Sequence, residues 1–248
     1  TVALGLALGP SLGGMISSWL GWRWVFFINL PIGMVSLILC WRLLPPDRPV
    51  EKQYFDPWGA VLAFIFLFSL VFLLNRGAAI GWFSLSVLGL VSVCVSSLVA
   101  FVRLELVHPY PMLDLTLFRQ PVFSFNNAAA LFNFMAQYTI VFLTPFYLRQ
   151  YLNLGPHAVG LIMTCFPVIV LVVAPLAGAL SDRVGTYGLA LLGSGICTVA
   201  LLGLTLFSSL SIAWVCLFLG LFGLGTGLFQ SPNNSAVMGS VPKHRLGI

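Results

Sequence analysis

Between Val184 and Pro242 the chain carries no charged side chain. No water-soluble domain holds an uncharged run of that length, because its elements need a polar face toward solvent. In a bilayer the run makes sense. A helix rising 1.5 Å per residue crosses the roughly 30 Å hydrocarbon core with about 20 apolar residues. This run must therefore cross, turn and cross again, and Ser208-Ser209 is the natural turn. Applied to the whole chain, the same rule predicts eight spans near 1–21, 24–41, 57–74, 80–102, 122–148, 158–181, 187–207 and 212–236. Charged residues make up 7% of the 248 and hydrophobic ones 60%, against roughly 25% charged in a soluble domain. Lipid is thus the implied solvent and partner.

The runs show neither period-two alternation nor the roughly 10-residue segments of a β-barrel. The expected class is all-α: a polytopic transmembrane helical bundle, multi-pass in the cell membrane. Thr1 already lies in an apolar run, and Lys243 to Ile248 read as a loop entering another helix, so the eight spans are expected to belong to a longer, truncated chain. If the spans alternate, one set of loops holds Arg42, Arg48, Lys52, Arg103, Arg119, Arg183, Lys243 and Arg245, and the other holds Arg23, Arg76 and Arg149. The positive-inside rule places the first set in the cytoplasm. The basic residues are scattered singly, which gives no nucleic-acid patch. Cys40, Cys94, Cys165, Cys197 and Cys216 each fall inside a span with no C-x-x-C pair, and read as small buried apolar residues. No metal site and no cofactor is expected.

Five strings carry more information. Gly5, Gly9 and Gly13 recur every fourth residue, with Pro10 and Gly14 beside them. Each four-residue step turns a helix by about 40°, so the glycines form a slowly drifting groove open to close helix approach, and Pro10 bends the helix. Trp22 to Gly33 reads W-R-W-V-F-F-I-N-L-P-I-G, and Asp56-Pro57-Trp58-Gly59 opens a span with an N-cap acid and a first-turn proline. Gly178-Ala-Leu-Ser-Asp182-Arg183-Val-Gly185 joins two spans, and its acid can interact with the dipole of the following helix. An ordinary tight turn is the alternative. Gly223, Gly225 and Gly227 lie in a continuous apolar run without the strand–turn–helix context of a dinucleotide site.

Together these strings resemble the major facilitator superfamily, and within it the fourteen-helix drug:proton antiporters. Gly5, Gly9, Pro10, Gly13 and Gly14 look like the antiporter motif. Gly178, Asp182, Arg183 and Gly185 resemble the cytoplasmic gating loop, although Thr186 and Tyr187 stand where the family has basic residues. The resemblance implies helices five to twelve of fourteen: residues 1–44 would end the N-terminal half, 45–120 would be a linker region with two extra transmembrane helices, and 121–248 would open the C-terminal half.

On the fifth span Asn126, Asn133, Gln137 and Thr144 fall within about 20° of one line, at about 100° per residue. Such a stripe bonds neighbouring helices or lines a water-filled pathway. Gln230, Asn233 and Asn234 form a second polar group. No Asp, Glu or Lys is expected inside a span, with Asp56 and Glu105 at edges, so the proton-coupling residue is left unassigned. The function implied is a secondary transporter exporting small amphipathic compounds in exchange for protons, with an envelope adaptor as a candidate partner. A single-metabolite exporter or proton symporter is the alternative. An enzyme would need an in-membrane catalytic constellation, which the spans do not contain.

Overall fold

The computed structural model describes residues 2–43, 56–109, 111–206 and 211–241, with only the backbone described at 2–4, 6 and 7. Every described element is helical: α1 (Val2–Trp19), α2 (Trp24–Phe27), α3 (Asn29–Leu43), α4 (Pro57–Ile80), α5 (Leu85–Val107), a 3-10 turn (Leu115–Arg119), α6 (Pro121–Gln150), α7 (Pro156–Met163), α8 (Cys165–Val184), α9 (Thr186–Leu206) and α10 (Ile212–Gly239). Among the described residues, seven stretches are long and apolar enough to cross a membrane: 24–43, 57–80, 85–107, 121–150, 156–184, 186–206 and 212–239. The eighth expected span is α1, a helix of 18 residues.

Two expected spans are interrupted, and prolines explain both breaks. Pro31 cannot donate to the Phe27 carbonyl and crowds it, and the chain breaks between α2 and α3 at Ile28, where Asn29 Nδ2 donates to the Val25 carbonyl at 3.1 Å. Pro167 does the same to Met163, and α7 passes to α8 at Thr164, whose hydroxyl donates to the Gly160 carbonyl at 2.8 Å. The third and fourth spans need correction. Arg76 does not end its helix, because an arginine near a helix end reaches the interface along its own stem. The chain instead turns at Gly81, whose φ of +96° suits a residue without Cβ. The turn expected at Ser208-Ser209 lies outside the described residues, between the ends of α9 and α10, as do Arg48, Lys52, Lys243 and Arg245.

Of the described residues, those in 2–43 and 125–240 form one compact unit, and those in 56–124 belong to another. In the first, α10 packs against both α8 and α9, and its glycines make this close. A Cβ at Gly223 would stand 2.6 Å from the Phe166 carbonyl oxygen of α8, and one at Gly227 2.8 Å from Val173 Cβ. Gly225 points the other way: its Cβ would meet the Gly193 oxygen of α9 at 2.6 Å, and a Cβ at Gly193 would meet the Gly225 oxygen at 2.6 Å. The two backbones touch reciprocally. Leu148 of α6 and Leu219 and Phe222 of α10 have no exposed surface in the apolar core of this unit.

In the second unit α4 pairs with α5. Asp56 caps α4 as expected, its Oδ1 accepting from the N–H of Trp58 at 3.1 Å and of Gly59 at 2.9 Å, with Pro57 in the first turn. Phe64, Phe68 and Phe72 stack along the outer face of α4, with centroids 6.0 and 6.2 Å apart, as suits a surface solvated by lipid. Glu105 lies at the expected edge, in the last turn of α5, and is 4% exposed.

Candidate functional site

The polar stripe lies on one continuous helix, α6, and coincides with that helix's inward side. Ile140, Thr144 and Leu148 are buried, while Asn126, Asn133 and Gln137 are half-buried. Their spacings of three, four and seven residues make them one face. From it Asn133 Nδ2 donates to Cys197 Sγ of α9 at 3.7 Å. That sulfur in turn donates to the Phe222 carbonyl of α10 at 3.7 Å and lies 3.7 Å from Thr226 Oγ1. Asn133, Cys197 and Thr226 thus form a polar seam joining α6, α9 and α10. Sulfur is a weak partner, so the seam is soft. Cys197 is not the inert apolar filler expected of it, and Cys40 is exposed rather than buried.

Two side-chain oxygens in this unit are buried and have no hydrogen-bond partner among the described residues: Gln137 Oε1 and Asn233 Oδ1. Asn233 is 1% exposed. An orphaned amide oxygen is costly in an apolar interior, and it has lone pairs to offer a donor that enters. Gln230 is half-buried and Asn234 exposed, so the second polar group is only partly directed inward.

The glycine groove of α1 turns out differently from its spacing. A Cβ at Gly5, Gly9 or Gly13 would meet nothing within 4 Å. The close approach is made on the adjacent face. A Cβ at Gly14 would stand 2.7 Å from the Pro156 carbonyl oxygen and 3.2 Å from Gly160 Cα, and one at Gly160 would collide with the Pro10 carbonyl oxygen. The crossing of α1 over α7 therefore needs Gly14 and Gly160. The loop string is split in the same way. A Cβ at Gly178 would stand 2.8 Å from Ser231 Oγ of α10, and the buried Ser181 hydroxyl donates to the Gly178 carbonyl at 2.7 Å. Asp182 and Arg183 are exposed, and Gly185 ends α8 with a φ of +88°.

Sequence reasoning missed Cys197, Thr226 and Gly160. A signal existed for the first: Gly193 and Cys197 are one turn apart, so the face that admits the α10 backbone also presents the thiol. Gly160 is a lone glycine, and nothing in its neighbours marks it.

The Major Facilitator Superfamily family model matches residues 1–248. Among curated relatives, the uncharacterized transporter YebQ of Escherichia coli is 34% identical over 99% of this chain and 54% of its own length. The riboflavin transporter RibZ of Clostridioides difficile is 32% identical over 99% and 53%. The multidrug resistance protein Stp of Mycobacterium tuberculosis is 32% identical over 99% and 46%. The chain spans about half the length of the relatives it matches.

Proposed function

The chain belongs to the major facilitator superfamily, a family of membrane transporters, and from that premise we propose that it exports small amphipathic compounds in exchange for protons, by alternating access between helical halves. The observation that carries this reading is the inward face of α6. Its polar groups sit in an otherwise apolar bundle, and Gln137 Oε1 is buried without a donor among the described residues. Such a face offers a few weak contacts rather than a tight constellation, which suits substrates that share size and amphipathicity more than shape. Relatives named for multidrug and lincomycin resistance support the drug-type reading.

In this proposal residues 1–44 close one half, 121–248 open the other, and 45–120 form a linker. The grouping of the described residues of 56–124 as a separate compact unit supports that division. Gly5, Gly9, Pro10, Gly13 and Gly14 are proposed as the antiporter motif, in which Gly14 makes the close contact with Gly160 and Gly5, Gly9 and Gly13 lie on an open face of α1. Gly178, Asp182, Arg183 and Gly185 are proposed as a cytoplasmic gating loop.

The relative named as a riboflavin transporter keeps a single-metabolite reading in play. Efflux assays on cells expressing Gln137→Ala separate the two. A broad exporter loses some amphipathic cations several-fold while neutral compounds barely change. A dedicated carrier fails to move cationic dyes in the wild type at all, and that result would refute the drug-type proposal.

A further inference from the structure

The start of α4 and the last turn of α5 bring together two carboxyl groups that the transport proposal does not use. Asp56 is 2% and Glu105 4% exposed. One oxygen of each is occupied: Asp56 Oδ1 caps α4, and Glu105 Oε2 accepts from the Leu113 N–H at 3.0 Å. The other two, Asp56 Oδ2 and Glu105 Oε1, are buried with no hydrogen-bond partner among the described residues. They converge on one place. A Cβ at Gly59 would stand 2.6 Å from Asp56 Oδ2 and 2.9 Å from Glu105 Oε1, so the missing side chain of Gly59 is what lets both carboxyls close over α4.

His108 Nδ1 lies 4.0 Å from Asp56 Oδ2, beyond hydrogen-bond range. The other charged groups described on the elements around the pair are directed elsewhere. Arg103 and Arg119 are exposed, Asp114 accepts from the Thr116 N–H at 3.0 Å, and Arg76 lies toward the far end of α4. No group of His, Cys, Asp and Glu among the described residues has a metal-ligand arrangement. Both open oxygens thus lie within 2.9 Å of one point above Gly59, and two buried acceptors left without a donor are costly.

We propose that Asp56 and Glu105 hold one proton between Oδ2 and Oε1, as a carboxylic acid donating to a carboxylate. One donor then satisfies both orphaned oxygens, ties the start of α4 to the end of α5, and leaves a single negative charge near His108. The site stands whether or not protons drive transport.

Infrared spectroscopy of the purified protein in lipid nanodiscs tests this directly. At neutral pH the wild type shows a protonated-carboxyl stretch that both Asp56→Asn and Glu105→Gln lack. Glu105→Gln keeps an acceptor for Leu113 and offers an amide N–H to Asp56, so it melts close to wild type and separates loss of the proton from loss of the fold. A band that survives in either variant places the proton elsewhere and overturns the proposal. So does a wild type without the band; if its melting temperature then climbs with added sodium or potassium chloride, the pair is a cation site.

Discussion

Asn133 and Gln137 lie one turn apart on the same face of α6 and have opposite situations. Asn133 already has a partner, Cys197 Sγ at 3.7 Å, while Gln137 Oε1 has none among the described residues. The two alternatives for the stripe, helix bonding and pathway lining, thus divide between neighbouring residues. Asn133→Ala is expected to lower stability by about 0.6 kcal/mol, the usual worth of an interhelical hydrogen bond in a membrane, and to weaken export of all substrates alike. Gln137→Ala leaves stability unchanged or raised, because it removes a buried polar atom without a partner, and alters substrate preference. Thermal melts in detergent beside efflux of a cationic and a neutral compound read both effects. Equal stability losses in the two variants would contradict the division.

At the scale of elements, the crossings are set by glycines whose partners no spacing rule names. Gly5, Gly9 and Gly13 have the more regular pattern, yet Gly14 and Gly160 carry the contact between α1 and α7. Periodicity identifies a face of a helix but not what lies opposite it. The expected order is therefore that Gly160→Ala and Gly14→Ala destabilise by about 1–3 kcal/mol through overpacking, whereas Gly9→Ala changes stability little. Gly193→Ala and Gly225→Ala fall in the costly class, since each Cβ would meet a carbonyl oxygen across α9 and α10 at 2.6 Å. Chemical-shift or melting comparisons at matched expression check the ranking, and Gly9→Ala costing as much as Gly160→Ala would reverse it. The spans themselves were legible because length and apolarity alone decide a crossing. Asp56 was legible as a cap because its signal is local. The breaks at Ile28 and Thr164 were marked by Pro31 and Pro167 but submerged in apolar runs. Arg76 misled because charge was taken as a boundary, although a long cationic side chain can leave the bilayer from inside a helix. Glu105 was legible as an edge residue, but its burial depends on a tertiary approach over Gly59 that composition does not encode.

For the whole molecule, the resemblance carried by five short strings and the family match over residues 1–248 agree, and they make this a multi-pass membrane protein. The positive-inside rule predicts an orientation from the basic loops. A single cysteine at Arg149, in a cysteine-free background, is expected to react with an impermeant maleimide from outside the cell, and one at Arg119 only after permeabilisation. The reverse pattern would invert the topology. The central claim, exchange of an amphipathic compound for protons, is tested most directly in proteoliposomes with a pH-sensitive dye trapped inside. Adding an amphipathic cation on one side should move protons in the opposite sense, in proportion to the cation transported, and collapse of the pH gradient by an ionophore should stop its accumulation. Transport of the cation with no proton movement, or accumulation that persists after the gradient is collapsed, would contradict the account.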